Sequence, residues 1–259
     1  MKSVRLGSFL IPIIAPALAA VALSSCNSSD SAGAASPAAV DPVANVGSGS
    51  DSSGDPAPAP APSATPTVNP SIVGDSCEGN TEGKTCLAMH FVTYTDSSGN
   101  PTATKEQAAT IIRTMNQLYS QCNIAFEIEK YDPVDPTQSG LSYGAQSQNE
   151  LNAIRQTYAQ PSNELLGVTT GPWGTAVNGW TNMPGGGIYG AIMEASIVDY
   201  AGGIIYAHEF GHYLGLDHVS DSSNLMSPLI YTSSTSLTSS QCQEAQNVIT
   251  QYWSAMIRK

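Results

Sequence analysis

The pattern of apolar and polar positions divides the chain into an N-terminal part without a core pattern and a C-terminal part with strands and helices. Leu87–Thr95 is a mostly apolar run and predicts a strand, and Leu165–Thr169 predicts another. Ile124–Glu129 alternates apolar and polar residues, which predicts a half-exposed strand with Glu127 facing outward. Residues 71–259 are therefore expected to form one domain with its own core.

Helix signals separate these strands. Thr104 and Gln107 have the spacing of a capping box, and so do Thr238 and Gln241 near the C-terminus. Ser147 is expected to begin a short helix that ends at about Tyr158. Apolar residues recur at helical spacing after the first and last of these signals, and predict inner faces formed by Ala108, Ile111, Ile112, Met115, Leu118 and Tyr119 and by Ala245, Val248, Ile249 and Trp253.

The most informative motif runs from His208 to His218 and has the form HExxHxxGxxH. Residues four apart share one face of a helix, so His208 and His212 can bind the same metal ion, with Glu209 beside them. Glycine adopts the left-handed conformation freely, so Gly215 can end the helix and return His218 as a third ligand. The chain has 4 histidines, and three lie in this motif, which disfavours stray core histidines. Three nitrogen ligands leave a coordination position open, as in catalytic zinc sites.

This motif and the residues after it resemble the metzincin clan of zinc peptidases, and most closely its matrixin (matrix metalloproteinase) branch. The sequence HEFGHYLGLDH is followed by Leu225-Met226-Ser227-Pro228. The resemblance implies that Met226 lies in a tight turn beneath the metal, the Met-turn. Two positions depart from related families: Val219 stands where matrixins usually have serine, and Pro228 where astacin-like enzymes have tyrosine. The resemblance is specific over about residues 203–228.

The resemblance also implies a fold. It predicts an α+β, zincin-like catalytic domain with a mixed twisted sheet, backing helices and an active-site helix over about Asp199–Leu214. A small C-terminal subdomain would follow Gly215. Residues 178–193 would include an edge strand that pairs with the substrate backbone. Glu194 is expected to be a surface acid, and Asp199 an acid at the start of a helix.

The expected activity is that of a zinc endopeptidase with one catalytic Zn²⁺ and protein or peptide substrates. Glu209 would act as general base, taking a proton from the attacking water and passing it to the leaving amine. Two alternatives remain: a non-catalytic surface-binding lipoprotein on the same fold, and a zinc amidase that acts on cell-wall peptides.

The N-terminus has the features of a lipoprotein signal peptide over residues 1–25. Lys2 and Arg5 precede an apolar stretch that ends at Leu23, and Cys26 lies where cleavage is expected. We expect Cys26 to be lipidated; the alternative is an ordinary secretory signal with an incidental cysteine. Residues 26–70 are rich in Ala, Ser and Pro and predict a disordered tether. These features predict an exported bacterial cell-envelope lipoprotein at the outer membrane or cell surface.

Cysteines 77, 86, 122 and 242 remain in the predicted domain. An even number in an exported protein indicates two disulfides. The pairing Cys77–Cys86 with Cys122–Cys242 is favoured because the first pair is local and flanked by glycines, although the other two pairings stay open. No CxxC spacing occurs, which disfavours a cysteine metal site.

The net charge and two further polar residues, His90 and Asp217, bear on what the protein can bind. The net charge of −12 disfavours nucleic-acid binding, and we expect a monomer. His90 lies in a strand-like run, which favours a role in the sheet over metal binding. Asp217 either stabilises the turn before His218 or supports the metal site.

Overall fold

The computed structural model describes residues 21–22, 72–77, 83–145, 147–159, 163–174, 177–185, 187–198 and 202–258. The predicted tether, Cys26, Asp199 and most of the predicted signal peptide lie outside these residues. Among the described residues, no helix combines the length and the apolar character needed to cross a membrane.

Within the described residues, eight strands and four α-helices follow one another. In chain order they are β1 Val21–Ala22, β2 Thr85–Tyr94, α1 Lys105–Tyr119, β3 Ile124–Val134, α2 Gln148–Tyr158, β4 Leu165–Thr169, β5 Gly179–Thr181, β6 Ala191–Met193, α3 Gly202–Tyr213, β7 Leu229–Ile230, α4 Ser239–Tyr252 and β8 Ile257–Arg258. The three predicted strands and all four predicted helices are present, with boundaries that differ by a few residues.

Six of these strands form a mixed sheet, as expected. The order is β3-β2-β4-β6-β5, and β8 pairs antiparallel with the beginning of β2. The first four strands in this order are parallel, whereas β5 pairs antiparallel with β6 and forms one edge of the sheet. A separate pair joins β1, which lies within the predicted signal peptide, to β7.

Helices cover both faces of the sheet. Apolar residues of α1, α3 and α4 pack with one face of β2 and β3 in the larger core cluster. Apolar residues of α2 pack with the opposite face, against side chains such as Val92, Leu166 and Ile192. The predicted capping boxes at Thr104 and Thr238 are both present and begin α1 and α4. This arrangement holds α3 between the sheet and the C-terminal part of the chain.

Two acidic residues were predicted to be exposed, and both predictions are wrong. Glu127 is 2% exposed, because its carboxylate accepts a hydrogen bond from the backbone N–H of Cys77 at 2.7 Å. Glu194 is 6% exposed and accepts hydrogen bonds from the Asn178 side-chain amide, at 2.7 Å, and from the Ser196 hydroxyl. Hydrogen bonds to distant residues satisfy both carboxylates inside the fold, so local alternation could not reveal their burial.

The disulfides follow the favoured pairing. Cys77 is bonded to Cys86, with Cα atoms 6.1 Å apart, and Cys122 to Cys242, with Cα atoms 4.8 Å apart. The second bond joins the end of the α1 segment to α4 across 120 residues of sequence. It therefore ties the C-terminal helix to the first half of the domain.

Candidate metal centre

A glycine follows the end of helix α3 and terminates it, as the motif predicts. Gly215 has φ of 83°, in the left-handed region that favours glycine. The backbone N–H of Leu216 donates to the carbonyl of Gly211, and that of Gly215 donates to the carbonyl of His212. This pair of bonds is the Schellman motif, which satisfies the last helical carbonyls and reverses the chain. The reversal brings His218 back towards the helix.

The three histidines of the motif converge on one point. The Nε2 atom of His218 lies 3.2 Å from Nε2 of His208 and 3.1 Å from Nε2 of His212. His208 and His212 are 1% and 3% exposed, and His218 is half-buried. All three ligand atoms lie within 4.8 Å of one another, so these side chains could hold a metal ion together.

Backbone carbonyls fix the orientation of the two helical imidazoles. His208 Nδ1 lies 2.7 Å from the carbonyl oxygen of Leu225, and His212 Nδ1 lies 2.8 Å from that of Leu216. A carbonyl oxygen only accepts hydrogen bonds, so each Nδ1 carries the proton and each Nε2 offers its lone pair. Such outer hydrogen bonds orient metal-binding histidines in proteins generally.

Burial keeps these imidazoles neutral. It lowers the pKa of His208 to about 4 and holds the pKa of His212 well below its usual value. It also lowers the pKa of His218, whereas the charge of exposed Asp217 opposes this effect. Only a neutral imidazole can bind a metal ion, so the site is ready to bind near neutral pH.

The spacing of the nitrogens can be compared with that of a metal site. Zinc–nitrogen bonds of about 2.0–2.1 Å in tetrahedral geometry place two ligand nitrogens about 3.3 Å apart. The two separations to His218, 3.2 and 3.1 Å, agree with this value within about 0.2 Å. Three neutral, buried nitrogen donors also suit zinc in their chemistry. The residues therefore fit a zinc ion.

Glu209 lies beside the triad in a buried position. It is 2% exposed, and burial raises the pKa of its carboxyl to about 7, against the lowering effect of a Thr181 hydrogen bond and the charge of Arg155. The Thr181 hydroxyl donates to Oε2 of Glu209 at 2.7 Å. Sequence reasoning missed this contact, since it joins residues 28 apart on different elements.

Met226 lies in a turn that packs under α3. Its backbone N–H donates to the Asn224 side chain at 2.9 Å, and its carbonyl accepts from the N–H of Val219 at 3.0 Å. Its side chain is fully buried against Gly211, a residue of α3 that lies between His208 and His212 in the sequence. A Cβ atom at Gly211 would lie 2.3 Å from Met226 Sδ. The helix therefore needs glycine at this position.

Arg155 is a second residue that sequence reasoning missed. It is fully buried on α2, and its guanidinium donates to the carbonyl oxygens of Trp180, at 2.7 Å, and Gly190, at 2.8 Å. These bonds hold the β5–β6 hairpin from the face of the sheet opposite α3. An arginine among the apolar positions of α2 is the one sequence signal that could have indicated it.

His90 lies in β2, outside the histidine triad. Its Nε2 is 2.9 Å from the Asp132 carboxylate, and the side chain is largely buried. The prediction of a role in the sheet is therefore confirmed.

Two histidines on helix α3, a third that the chain reversal returns to them, and an adjacent carboxylate define a centre of the metallopeptidase class. A protein-family model described as Reprolysin_5, metallo-peptidase family M12, matches residues 91–258. The chain belongs to metallopeptidase family M12. The description of this family names it as one of metallo-peptidases. A comparison with curated proteins gives no match.

Two solved structures are similar to this chain. Mature mirolysin from Tannerella forsythia, in complex with a cleaved peptide, has a TM-score of 0.51 and 10% identity over 68% of this chain and 99% of that chain. Metalloproteinase-II from Bacteroides fragilis has a TM-score of 0.45 and 16% identity over 65% of this chain. The matched part spans 55% of the length of the Bacteroides protein. At 10% identity, the similarity to mirolysin supports the fold alone.

Proposed function

We propose that the protein is a zinc endopeptidase of the metzincin type, in which His208, His212 and His218 hold the zinc ion and Glu209 is the general base. The observation that carries the proposal is the convergence of three neutral imidazole nitrogens next to a buried carboxylate. A zinc ion held there would supply Lewis acidity, making water a better nucleophile and polarising a carbonyl group.

Glu209 carries the proton in this proposal. A carboxyl with pKa of about 7 can accept a proton from water and later donate it to the leaving amine near neutral pH. Burial supplies this property, because it disfavours the charged form of the carboxyl. The four cysteines of the domain are paired in disulfides, so a thiol nucleophile is not part of the mechanism.

The edge of β5 that faces away from β6 is the proposed binding site for the substrate backbone. The N–H of Glu194 donates to the carbonyl of Asn178 at 2.9 Å, which marks a hydrogen-bonded pair with the β6 segment. Backbone direction alternates along an antiparallel pair, so Gly179 and Thr181 direct their N–H and C=O groups away from β6. An extended peptide could add there as a further strand.

We assign Met226 to the Met-turn, supported by its contact with Gly211 of the helix. We also propose that residues 203–228 are matrixin-like, which is a more specific assignment than membership of family M12. Lipidation at Cys26, export and attachment at the outer membrane or cell surface are also proposed. The N-terminal sequence supports them, and the two disulfides agree with an oxidising compartment.

The test uses a library of quenched peptides and the full chain, with and without a chelator. Glu209→Gln is the decisive variant, and Glu244→Gln at an exposed position of α4 is its matched control. We expect one zinc per chain in all three proteins, with chelator-sensitive cleavage in the wild type and the control only. Bound zinc without cleavage of any peptide by the wild type would favour the non-catalytic binding protein. A parallel digestion of peptidoglycan and casein tests the remaining alternative, because digestion of peptidoglycan but not casein would favour the amidase.

A further inference from the structure

The edge strand β5 crosses directly over the Glu209 carboxylate. Alternate residues of a strand face the same side, so Gly179 and Thr181 both face α3, whereas Trp180 packs in the opposite core cluster. Thr181 and Glu209 are 3% and 2% exposed. The carboxylate is therefore enclosed between its own helix and two residues of the substrate-facing strand.

These two residues contact the two carboxylate oxygens differently. The Thr181 hydroxyl donates to Oε2 at 2.7 Å. At Gly179 a Cβ atom would lie 2.7 Å from Oε1 and 2.8 Å from Cδ and Cγ of Glu209. Any side chain at this position would push the carboxylate away. The sequence Gly179-Trp180-Thr181 thus provides space for one oxygen and a donor for the other.

We propose that Thr181 is a positioning residue for the general base and that Gly179 provides the space in which the base is held. The proposal rests on the proposed function of Glu209. With Oε2 held by the hydroxyl, rotation of the carboxylate is restricted and Oε1 keeps a fixed direction. Precise placement of a base lowers the entropic part of the barrier, and small displacements are costly.

Thr181 would then take part both in binding the substrate backbone and in positioning Glu209. The backbone groups of Thr181 point outward along the edge, whereas its side chain points at Glu209. Thr181→Val removes the hydroxyl but keeps the branched shape and the backbone groups. It should therefore affect kcat and leave KM nearly unchanged, because peptide binding at the edge uses the main chain.

The kinetic test compares Thr181→Val, Thr181→Ser and Gly179→Ala with the wild type, with Thr157→Val at an exposed position of α2 as control. Loss of a hydrogen bond to a charged group predicts a fall in kcat of about ten- to hundredfold for Thr181→Val. Thr181→Ser should restore most of the rate. Gly179→Ala should lower kcat, with a zinc content near that of the wild type and a small loss of Tm from the close contact. Unchanged kcat in Thr181→Val, or a loss that serine does not rescue, would overturn the proposal.

A second measurement does not depend on activity. Crystal structures of the metal-free wild type and Thr181→Val should show the Glu209 carboxylate in one orientation in the wild type and in a rotated or multiple orientation in the variant. The same single orientation in both would refute the positioning role, even for a protein that cleaves no peptide. An inactive wild type with the expected change in orientation would instead contradict only the proposed function.

Discussion

The contact between Gly211 and Met226 permits a sharp prediction for Gly211→Ala. In an ordinary helix interior this substitution stabilises a protein by about 0.5–1 kcal/mol, because alanine restricts the unfolded chain. Here the new Cβ would lie 2.3 Å from Met226 Sδ, 3.0 Å from its Cε and 3.1 Å from the Tyr119 hydroxyl oxygen. Overpacking of this kind costs about 1–3 kcal/mol. We therefore expect a net loss of about 1 kcal/mol of unfolding free energy.

The assay is urea unfolding of the metal-free protein with its disulfides intact, because bound metal would add stability of its own. Met226→Ala and the double variant complete a double-mutant cycle. Met226→Ala alone opens a cavity and should cost about 2–5 kcal/mol. In the Gly211→Ala background this cost should be smaller by about 1–3 kcal/mol, since the clash is relieved. Stabilisation by Gly211→Ala, together with coupling below about 0.5 kcal/mol, would refute the argument from steric contact.

Two further predictions concern stability. The Arg258 guanidinium, which donates to Glu129 at 2.5 and 2.8 Å, lowers the pKa of that carboxyl below its usual value. The contribution of this ion pair to the free energy of unfolding should therefore be complete above the unfolded pKa of about 4.3 and be lost as pH falls through the lower folded pKa. Between pH 6 and pH 3, the Tm of Glu129→Gln should consequently fall less than the Tm of the wild type. Replacing both cysteines of Cys122–Cys242 by alanine should cost about 5 kcal/mol, against about 3 kcal/mol for Cys77–Cys86, because the closed loops differ in sequence separation, 120 against 9. Equal losses in denaturant unfolding would contradict this explanation.

Local patterns predicted the helices and the histidine triad well. Thr104 and Thr238 were recognisable as caps because a capping box involves residues three apart. His208, His212 and Gly215 were recognisable because helix geometry fixes their relation. These features depend on neighbours in sequence, which a single chain displays directly.

Contacts between distant elements could not be predicted in the same way. The burial of Glu127 depends on the N–H of Cys77, 50 residues away, and that of Glu194 on Asn178. The local sequence around Thr181 does not indicate its hydrogen bond to Glu209, which forms only where the sheet packs against α3. In each case the polar side chain is satisfied by a partner that only the tertiary structure supplies.

The carbonyl oxygens that orient the two helical imidazoles have a consequence for sequence change. They belong to Leu216 and Leu225, which lie on either side of His218. A carbonyl is common to every amino acid, so metal affinity depends on the path of this backbone more than on the identity of those side chains. Selection for metal affinity would therefore tolerate many substitutions at the exposed positions 220–223, but would act strongly against insertions and deletions between the third histidine and Met226.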